Sequence, residues 1–321
     1  MCHKLAELFS EAGLPDGVFN VLNGDKDIVN MLLHSDDIAS ISFVGSTPVA
    51  KNIYESSAIS GKRCQALGGA KNHALILPDA DIEYTTDQLI SAAFGSSGQR
   101  CMALSVAVVF SEIKNKFMES LKKKVSKLKF GLDDLNSNSF GPLVSKEHLE
   151  SVRNYIKLSE EEGANIIIDG RDSLKGKNSK NGYFLGPTII DNVNSGMESY
   201  QNEIFGPVLQ VIEVGHISEA IQLINRNKFG NGCCIFTSSG ENARIFSEEV
   251  EIGMVGVNIP LPVPSSYHSF GGWKNSLFGD LNIYGPDGVR FYTQRKTITQ
   301  RWPSTGSSEG VDLSMPNNLK Q

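Results

Sequence analysis

The sequence predicts an α/β fold with two domains. Amphipathic, helix-like segments alternate with short β-branched runs along most of the chain, which is typical of sheets covered by helices. The clearest strand is the apolar run 104–110, which follows a helix-like segment that ends near Phe94. The chain has 321 residues, 40% hydrophobic and 21% charged, an ordinary globular composition with enough length for two domains.

Charge and cysteine content exclude several classes of protein. The net charge is −6, from 36 acidic and 30 basic residues, which argues against nucleic acid or an anionic membrane as the main partner. No apolar run approaches the ~18 residues that a membrane span needs. The cysteine count is odd and no Cys-x-x-Cys occurs, so we expect neither a disulfide framework nor a metal site, and a reducing compartment fits. The cysteines are Cys2, Cys64, Cys101, Cys233 and Cys234.

The N-terminal part of the chain carries alternating helix and strand signals. A helix is expected over 1–12, because its apolar residues share one face and Gly13 with a following proline ends it. After this helix, the pattern predicts a strand over 18–22, a short helix over 28–33 and a second strand over 39–44.

A glycine turn and a helix start follow the second strand. Gly45, Ser46, Thr47 and Pro48 provide the turn, a hydroxyl at the N-cap and a proline in the first helical turn. The free N–H groups at such a start suit a phosphate. An ordinary capped helix with nothing bound is the alternative, and the residues alone favour it.

One cysteine stands in a loop of small residues just before the 104–110 strand. Gly95 and Gly98 allow unusual backbone angles and a close approach to a ligand. The neighbouring Arg100 favours the thiolate of Cys101, which is the reactive form of the side chain. The alternative is a buried cysteine in a tight turn, because a lone cysteine often packs as a small hydrophobic residue.

Helix and strand patterns continue to alternate along the rest of the chain. His73 is expected to be structural, and Cys233 and Cys234 to pack on opposite faces of one strand. The lysine-rich face of a helix over 115–130 is expected to be solvated, and three prolines keep 259–264 extended. The other predicted elements are a helix after 141–145, a buried strand at 166–168, a polar loop at 171–182, a helix at 219–227 capped by Ser218, a strand at 233–237, a helix at 242–250, a strand at 253–258, an edge strand at 291–299 and a disordered tail from 301.

Three motifs resemble those of one enzyme family, the NAD-dependent aldehyde dehydrogenases. The nucleophile signature of that family matches Phe94, Gly98, Gln99, Cys101 and Ala103. The run 98–105, Gly-Gln-Arg-Cys-Met-Ala-Leu-Ser, resembles in particular the CoA-acylating branch, the methylmalonate-semialdehyde (malonate-semialdehyde) dehydrogenases. The run 43–47 is similar to the family's cofactor loop, and the run 203–208, Glu-Ile-Phe-Gly-Pro-Val, to its nicotinamide-ribose segment. The resemblance extends from about residue 5 to residue 299.

The resemblance implies a fold and a set of site residues. The fold would combine a partial Rossmann-type NAD domain with an α/β catalytic domain and an oligomerisation strand. Cys101 would be the nucleophile, and Arg100 would bind the substrate carboxylate. The residues implied to bind NAD are Gly45, Ser46, Gly68, Glu203 and Phe205. Within this set, the resemblance assigns Ser46 to the pyrophosphate, Glu203 to the ribose hydroxyls and Phe205 to the nicotinamide.

A leucine stands where hydrolytic members of the family have a glutamate that activates water. A gap-free alignment back from Cys101 places Leu67 there, and leucine cannot act as a general base. The resemblance therefore implies that CoA, as co-substrate, takes the acyl group. The implied reaction converts methylmalonate or malonate semialdehyde to propanoyl-CoA or acetyl-CoA, as in valine and pyrimidine catabolism. A hydrolytic enzyme is the alternative, and acid formation without CoA would reinstate it.

The resemblance also sets expectations for organisation. The remainder of the NAD-binding domain is expected over 1–69, the catalytic domain over 70–287, the oligomerisation strand over 288–300 and the tail over 301–321. The family's chains begin upstream of the matched segment, so we expect an N-terminal truncation that includes the oxyanion-hole asparagine.

Partners and compartment are also implied by the resemblance alone. Family members form homo-oligomers, as dimers of dimers, and the eukaryotic branch is mitochondrial. No transit peptide is seen, so the cytoplasm is the alternative compartment. The alternative function is a non-catalytic remnant that at most dimerises with a full-length relative through the 291–299 strand.

Overall fold

Helices and strands alternate along the chain, and the strands form three sheets. The computed structural model describes residues 1–129, 141–172, 182–302 and 313. The predicted α/β class is confirmed. The helices α1 to α10 are, in order, Cys2–Glu11, Lys26–His34, Thr47–Ile59, Ile82–Phe94, Ser111–Val125, Lys146–Glu161, Glu198–Gln201, Ile217–Arg226, Gly240–Glu249 and Gly285–Tyr292. The strands β1 to β12 are Ser40–Val44, Arg63–Leu67, Asn72–Ile76, Leu104–Phe110, Asn165–Ile168, Thr188–Asp191, Val208–Val214, Phe229–Gly230, Gly232–Phe236, Met254–Val257, Trp273–Lys274 and Leu277–Phe278.

The central sheet has seven strands in the order β10-β9-β3-β4-β7-β6-β5. All its neighbouring strands are parallel except β5 and β6, which are antiparallel. Strands β3 and β9 are buried along their whole length, because a parallel sheet covered on both faces has no solvent side. Cys233 and Cys234 pack in different halves of the core, so the prediction of opposite faces is confirmed.

Helices cover both faces of the central sheet. On one face, α6, α8 and α9 bury Ile156, Ile221 and Phe246 against β4, β7 and β9. On the other face, α4 and α5 bury Leu89 and Phe117 against the same strands. The result is a three-layer α/β/α core that supports the loops at each end of the sheet.

A smaller sheet is built from β1, β2 and β12. Strands β1 and β2 are parallel, whereas β12 pairs with β2 in antiparallel orientation. Strand β12 belongs to the part of the chain in which the sequence predicts the catalytic domain, so the small sheet contains a strand from that part. Helix α3 buries Ala50 and Ile53 at this sheet, whereas α1 buries none of its residues.

Several predicted elements are present with small changes in their bounds. The helices expected over 1–12, 28–33 and 242–250 correspond to α1, α2 and α9. The strands expected over 39–44 and 253–258 correspond to β1 and β10, and the one expected at 104–110 is β4. The strand expected at 166–168 lies within β5, but it is half-buried instead of buried, because β5 is at the edge of the sheet.

The strand predicted over 18–22 is wrong. The segment forms a turn, in which Gly17 takes a φ of +83° and the Val18 N–H donates to the Pro15 carbonyl oxygen at 3.3 Å. Val18 and Phe19 are exposed, and no strand of the described residues lies beside them. A strand needs a neighbour for its backbone groups, so the turn-forming proline and glycine dominate here.

The strand predicted over 291–299 is also wrong within the single chain. Phe291 and Tyr292 instead close helix α10, in which Phe291 is buried. Thr293 is extended, with φ −126° and ψ 158°, but residues 293–300 are exposed and pair with no described strand. The apolar residues that suggested a strand belong partly to the buried face of a helix.

The helix cap predicted at Ser218 lies two residues too late. Helix α8 begins at Ile217 and His216 is its N-cap, so Ser218 falls in the first turn. The Glu219 carboxylate accepts a hydrogen bond from the Gly215 N–H at 2.8 Å. An acidic side chain in the first turn thus binds a backbone N–H just before the helix, whereas the sequence predicts a hydroxyl in that role.

Three predictions lie partly outside the described residues: the end of the 115–130 helix, most of the 171–182 loop and the tail beyond 302 apart from residue 313. In the described part, α5 starts earlier than predicted, and two of its lysines, Lys114 and Lys124, pair with carboxylates. The helices that the structure describes are too short or too polar to cross a membrane. The described residues also hold no group of three His, Cys, Asp or Glu side chains suited to a metal ion.

His73 is structural, as predicted. It is 1% exposed, and its Nε2 hydrogen-bonds to the Tyr200 hydroxyl at 2.9 Å, with the two rings edge to face. Burial, together with the charge of Lys71, lowers the pKa of His73 to about 3. The ring therefore stays neutral at pH values at which an exposed histidine takes up a proton.

His73 should make the fold sensitive to acid. Because its folded pKa of about 3 lies below the unfolded value of about 6.5, only the unfolded chain binds a proton as the pH falls between these values. We expect this residue to cost about 1.4 kcal/mol of unfolding free energy between pH ~7.5 and ~5.5. Urea denaturation at the two pH values measures the loss, and His73→Gln should remove it. His34→Gln, at an exposed site, is the matched control, and an equal loss in wild type and His73→Gln would contradict the prediction.

Candidate active site

The candidate site lies where the strand ends of two sheets meet. Strands β3, β4, β7 and β9 of the central sheet direct their amino ends to it, whereas β1 and β2 of the small sheet direct their carboxyl ends there. The segment 68–71 leads from the end of β2 to the start of β3. Because ligands of open α/β sheets bind beyond the carboxyl ends of the strands, the small sheet faces this junction with its ligand-binding edge.

A narrow cleft opens at this junction. Four of the predicted site residues line it together: Arg100, Cys101, Glu203 and Phe205. The other three, Gly45, Ser46 and Gly68, are not part of its lining. The remaining lining residues are Ala70, Lys71, Asn72, Gly98, Ala103, Leu104, Ser105, Ile204, Gly206 and Val208.

The loop that carries the cysteine enters the cleft through strained backbone. After α4 ends, Ser96 and Ser97 take φ values of +53° and +57°, and Gly98 takes +68°. A β-carbon on Gly98 would lie 2.1 Å from the Gly206 carbonyl oxygen. The loop therefore packs backbone against backbone on the segment before β7, an approach that only glycine permits.

Two asparagines hold the nucleophile loop, and the sequence analysis missed both. Asn72 Nδ2 donates to the carbonyl oxygens of Cys101 and Ala103, each at 2.9 Å, and its Oδ1 accepts from the Gly232 N–H at 3.0 Å. Asn231 Nδ2 donates to the same Cys101 oxygen at 2.9 Å. The available signal was the position of Asn72 in a glycine-rich stretch, whereas nothing local marks Asn231.

The thiol of Cys101 is less acidic than its arginine neighbour suggested. The residue is exposed, yet the walls of the cleft take water from the sulfur, and this burial raises the pKa of the Cys101 thiol. Hydrogen bonds from the N–H groups of Cys101 and Met102, and the charge of Arg100, lower the pKa, while Glu203 adds to the rise. The effect expected of Arg100 has the right direction, but it does not dominate.

Arg100 is anchored to the helix that leads into the loop. Its Nη2 donates to the carbonyl oxygens of Ser91 and Ala92, at 2.9 and 3.0 Å, in the last turn of α4. A cation there complements the partial negative charge of the helix C-terminus. Its Nε is buried and has no hydrogen-bond partner among the described residues. The guanidinium is half-buried, and Arg100 as a residue lines the cleft.

Glu203 and Lys71 both lie in the cleft wall. Glu203 Oε1 accepts from the Ala70 N–H at 2.9 Å, and Lys71 Nζ donates to the carbonyl oxygens of Ser199 and Asn202 at 2.8 and 2.9 Å. Burial raises the pKa of Glu203, and burial also lowers the pKa of Lys71 to about 7 despite the nearby carboxylate. Desolvation thus outweighs their mutual attraction. The sequence analysis assigned no role to Lys71.

Phe205 lies beside Glu203 in a strained conformation. Its φ is +57°, which is uncommon for a bulky residue, and its ring is partly exposed at the cleft. His148 Nε2 hydrogen-bonds to the Phe205 carbonyl oxygen at 2.7 Å, and the two rings meet edge to face. Helix α6, which carries His148, therefore holds the aromatic ring at the rim.

The predicted phosphate loop lies next to the cleft. Ser46 is the N-cap of α3, but its hydroxyl makes no capping hydrogen bond, and the residue is exposed. Thr47 Oγ1 instead accepts from the Gly69 N–H at 2.9 Å, one residue before the amide that binds Glu203. A β-carbon on Gly68 would lie 2.5 Å from the Asn275 carbonyl oxygen. The glycines let the start of α3 pack directly against the cleft wall.

Comparison with known proteins assigns the chain to a family. The model of the aldehyde dehydrogenase family matches residues 1–298. The chain belongs to the aldehyde dehydrogenase family. Within this family, the chain is 52% identical over 314 residues to the malonate-semialdehyde dehydrogenase of Pseudomonas aeruginosa. The alignment covers 98% of this chain and 63% of that protein.

Solved structures agree with this placement. A methylmalonate-semialdehyde dehydrogenase from Oceanimonas doudoroffii superimposes with a TM-score of 0.92 at 56% identity, over 94% of this chain and 62% of that one. A protein from Sinorhizobium meliloti 1021, assigned as a methylmalonate-semialdehyde dehydrogenase and complexed with NAD, superimposes with a TM-score of 0.92 at 48% identity. The match covers 94% of this chain and 62% of that one. This aldehyde dehydrogenase chain thus spans under two thirds of the length of these relatives.

Leu67 occupies an apolar position in this aldehyde dehydrogenase. It is 5% exposed and belongs to a cluster with Met102, Met254 and Phe270. Met102 directly follows Cys101, so the residue that a gap-free alignment places at the glutamate of hydrolytic members packs among apolar side chains beside the Cys101 loop. A carboxylate in such surroundings would need a partner that this cluster does not offer.

The close packing at Gly98 should matter for both stability and the site. Gly98→Ala adds a β-carbon at a positive φ and against the Gly206 carbonyl oxygen, so we expect about 1–2 kcal/mol from backbone strain plus about 1–3 kcal/mol from overpacking. Gly61→Ala is the matched control, because Gly61 has a φ of +65° but no atom within 4 Å of its β-carbon. Urea denaturation measures both variants, and equal losses would show that the predicted contact is not formed.

Proposed function

We propose that the chain carries the site of an NAD-dependent, CoA-acylating dehydrogenase acting on malonate or methylmalonate semialdehyde. The observation that carries this proposal is that Cys101 and Glu203 line the same cleft, while Leu67, which the resemblance places at the position of the water-activating glutamate, is buried among apolar side chains. The names of the relatives, which are malonate- and methylmalonate-semialdehyde dehydrogenases, support the same substrates.

Cys101 is the nucleophile in this proposal. Its thiol loses a proton and the sulfur forms a bond to the aldehyde carbon, whose oxygen is protonated to give a thiohemiacetal. Loss of the carbon-bound hydrogen as hydride and of the hydroxyl proton leaves a thioester on the sulfur. The thiol of CoA then attacks the carbonyl carbon, and the Cys101 thiolate leaves. Loss of the substrate carboxylate as CO₂, with a proton taken up from water at the α-carbon, gives acetyl-CoA or propanoyl-CoA.

Cationic groups at the cleft suit a substrate that carries a carboxylate. Arg100, which lines the cleft, binds it in this proposal, because a guanidinium pairs well with a planar anion. Lys71 adds a second nitrogen to the wall, and with a pKa of about 7 it is protonated in part of the molecules at neutral pH. An arriving carboxylate would favour its charged form.

The residues near the cleft fit NAD as the cofactor. NAD supplies the hydride acceptor when it is bound. Ser46 offers a free hydroxyl at the start of α3, where N–H groups suit the pyrophosphate, and Gly45 forms the preceding turn. A β-carbon on Gly69 would lie 2.6 Å from Glu203 Oε2, so this glycine leaves room for the carboxylate, which can accept hydrogen bonds from ribose hydroxyls. The exposed ring of Phe205 is available for a nicotinamide.

Assembly and compartment remain proposals. We propose a homo-oligomer in which the exposed residues 293–300, which pair with no strand of the described chain, add to a sheet of a second copy. The cited relatives are bacterial, so they do not support the mitochondrial matrix, and the cytoplasm is the compartment that agrees with them.

Turnover should depend on Cys101 and on CoA. With malonate semialdehyde, NAD and CoA, we expect Cys101→Ala to lower the rate of NAD reduction by more than about a thousandfold, since the variant has no nucleophile. Cys64→Ala, which removes a half-buried thiol outside this cleft, is the matched control and should keep the rate. The increase in absorbance of the reduced cofactor measures both.

Three outcomes would count against this proposal. Retained activity in Cys101→Ala would remove the nucleophile. Free acid formed without CoA as fast as acyl-CoA is formed with it would favour the hydrolytic alternative. No turnover by the unmodified chain with any combination of substrates would favour the non-catalytic alternative.

A further inference from the structure

One stretch of chain, residues 142–152, contacts two walls of the cleft, and we call it the brace. The first wall is the loop of Cys101, from which the Gln99 side chain reaches the start of the brace. Gln99 Nε2 donates to the Pro142 carbonyl oxygen at 3.2 Å, and its Oε1 accepts from the Val144 N–H at 2.9 Å. Because one end of the amide donates and the other accepts, the orientation of this side chain is fixed.

The brace is itself held by the core. Leu143 is 2% exposed and packs in the cluster on one face of the central sheet, and its N–H donates to the Tyr183 carbonyl oxygen at 2.8 Å. Ser145 then caps α6, since its hydroxyl accepts from the His148 N–H at 3.2 Å. A side chain that is attached to the brace is therefore attached to the buried part of the molecule.

The first two turns of α6 contact the second wall, the segment that carries Phe205. His148 Nε2 hydrogen-bonds to the Phe205 carbonyl oxygen at 2.7 Å, and the two ring centroids lie 6.1 Å apart. One turn later, a β-carbon on Gly206 would lie 2.8 Å from both γ-carbons of Val152. His148 and Val152 share one face of the helix, as residues four apart do. The φ of +57° at Phe205 needs such surrounding contacts to persist.

The two walls also touch each other, which closes the set of contacts. A β-carbon on Gly98 would lie 2.1 Å from the Gly206 carbonyl oxygen, so the walls meet backbone to backbone. Cys101 and Phe205 line the cleft, whereas Gln99 and His148 are not part of its lining. Gln99 and His148 therefore hold the walls from outside the cleft.

We propose that Gln99 and His148 are positioning residues that fix the distance between the Cys101 sulfur and the Phe205 ring. This inference rests on the proposed function, in which hydride leaves the carbon bound to the sulfur toward a nicotinamide at the Phe205 ring. A misplacement of about 1 Å in such a transfer costs roughly a hundredfold in rate. Attachment of both walls to one buried stretch limits such misplacement.

Hydrogen exchange tests this inference without substrate, NAD or CoA. The purified chain is transferred to deuterated buffer, and peptide mass spectrometry follows the amides of 95–101 and of 203–208, one peptide for each wall. The buried strand β9 serves as the internal reference, because it lies in the centre of the fold. Urea midpoints show that each variant is folded.

Three substitutions separate the hydrogen bonds of the brace from its bulk. His148→Leu removes the bond to the Phe205 carbonyl oxygen, whereas His148→Gln keeps an N–H donor. Gln99→Met keeps the length of the side chain and removes both of its hydrogen bonds. Lys157→Gln is the matched control, at an exposed lysine of the same helix that pairs with Glu161.

Loss of either side chain should loosen both walls. We expect His148→Leu and Gln99→Met each to exchange about fivefold faster in both wall peptides, as the loss of a hydrogen bond predicts, with β9 unchanged. His148→Gln and Lys157→Gln should exchange like the wild type. This reciprocal effect, together with its rescue by glutamine, is the expected result.

Three results would overturn the inference. Faster exchange confined to the wall that the altered side chain contacts would mean that the walls move independently. Equal exchange in His148→Leu and His148→Gln would mean that the donor has no part in holding the wall. An equal rise in β9 would mean that the side chains affect only global stability.

A single turnover at saturating NAD supplies the kinetic readout. His148→Leu should slow NAD reduction about tenfold or more, while the NAD concentration that gives half the maximal rate changes less than about twofold. The reason is that Ser46 and Glu203, which are proposed to bind NAD, are unchanged. An unchanged rate in this variant would contradict the positioning role.

The two proposals fail in different ways. If the chain shows no turnover but exchange of the two walls is linked, the walls are held as proposed and only the dehydrogenase function fails. If turnover depends on Cys101 and CoA but exchange of the walls is not linked, the function stands and the role of Gln99 and His148 is wrong.

Discussion

The buried side chain of Asn72 joins three separate parts of the molecule at the candidate site. Standing at the start of β3, it donates to the loop of Cys101 and accepts from the start of β9. Because β3, β4 and β9 are parallel neighbours, one amide can tie together the amino ends of the central sheet. The segment just before Asn72 leads back to the small sheet. Within this segment, the Ala70 N–H donates a hydrogen bond to the Glu203 carboxylate. The geometry of nucleophile and cofactor residues thus depends on how this corner is packed.

Burial also shifts the pKa values of the ionisable groups that line the cleft. Cys101 and Glu203 both have raised pKa values and Lys71 a lowered one, so desolvation favours the neutral form of all three groups. Direct N–H donors and the guanidinium of Arg100 act against this trend at the sulfur. A ligand that carries its own carboxylate would favour the charged form of Lys71, but it would raise the pKa of the Cys101 thiol and of Glu203 further, because like charges repel.

Local patterns predicted much of the fold, and the motifs predicted four residues that line one cleft. The run 104–110 is a strand because it is continuously apolar and lies in the covered centre of the sheet, and the motif around Cys101 placed it correctly beside Glu203. The errors at 18–22 and 291–299 arose because strand pairing is non-local, and apolar spacing alone does not supply a neighbour. Asn231 was missed for the same reason, since it meets Cys101 across a distance of 130 residues in sequence. The acidity of the thiol depends on burial, which the identity of its neighbours did not reveal.

The central claim is that the sulfur of Cys101 holds an acyl group until CoA removes it. Mass spectrometry of the chain, quenched in acid after incubation with malonate semialdehyde and NAD but without CoA, tests this directly. The account predicts an added acyl mass on the peptide that contains Cys101, and its loss when CoA is added before the quench. A chain that reduces NAD in the presence of CoA, yet carries no such adduct in its absence, would contradict the account.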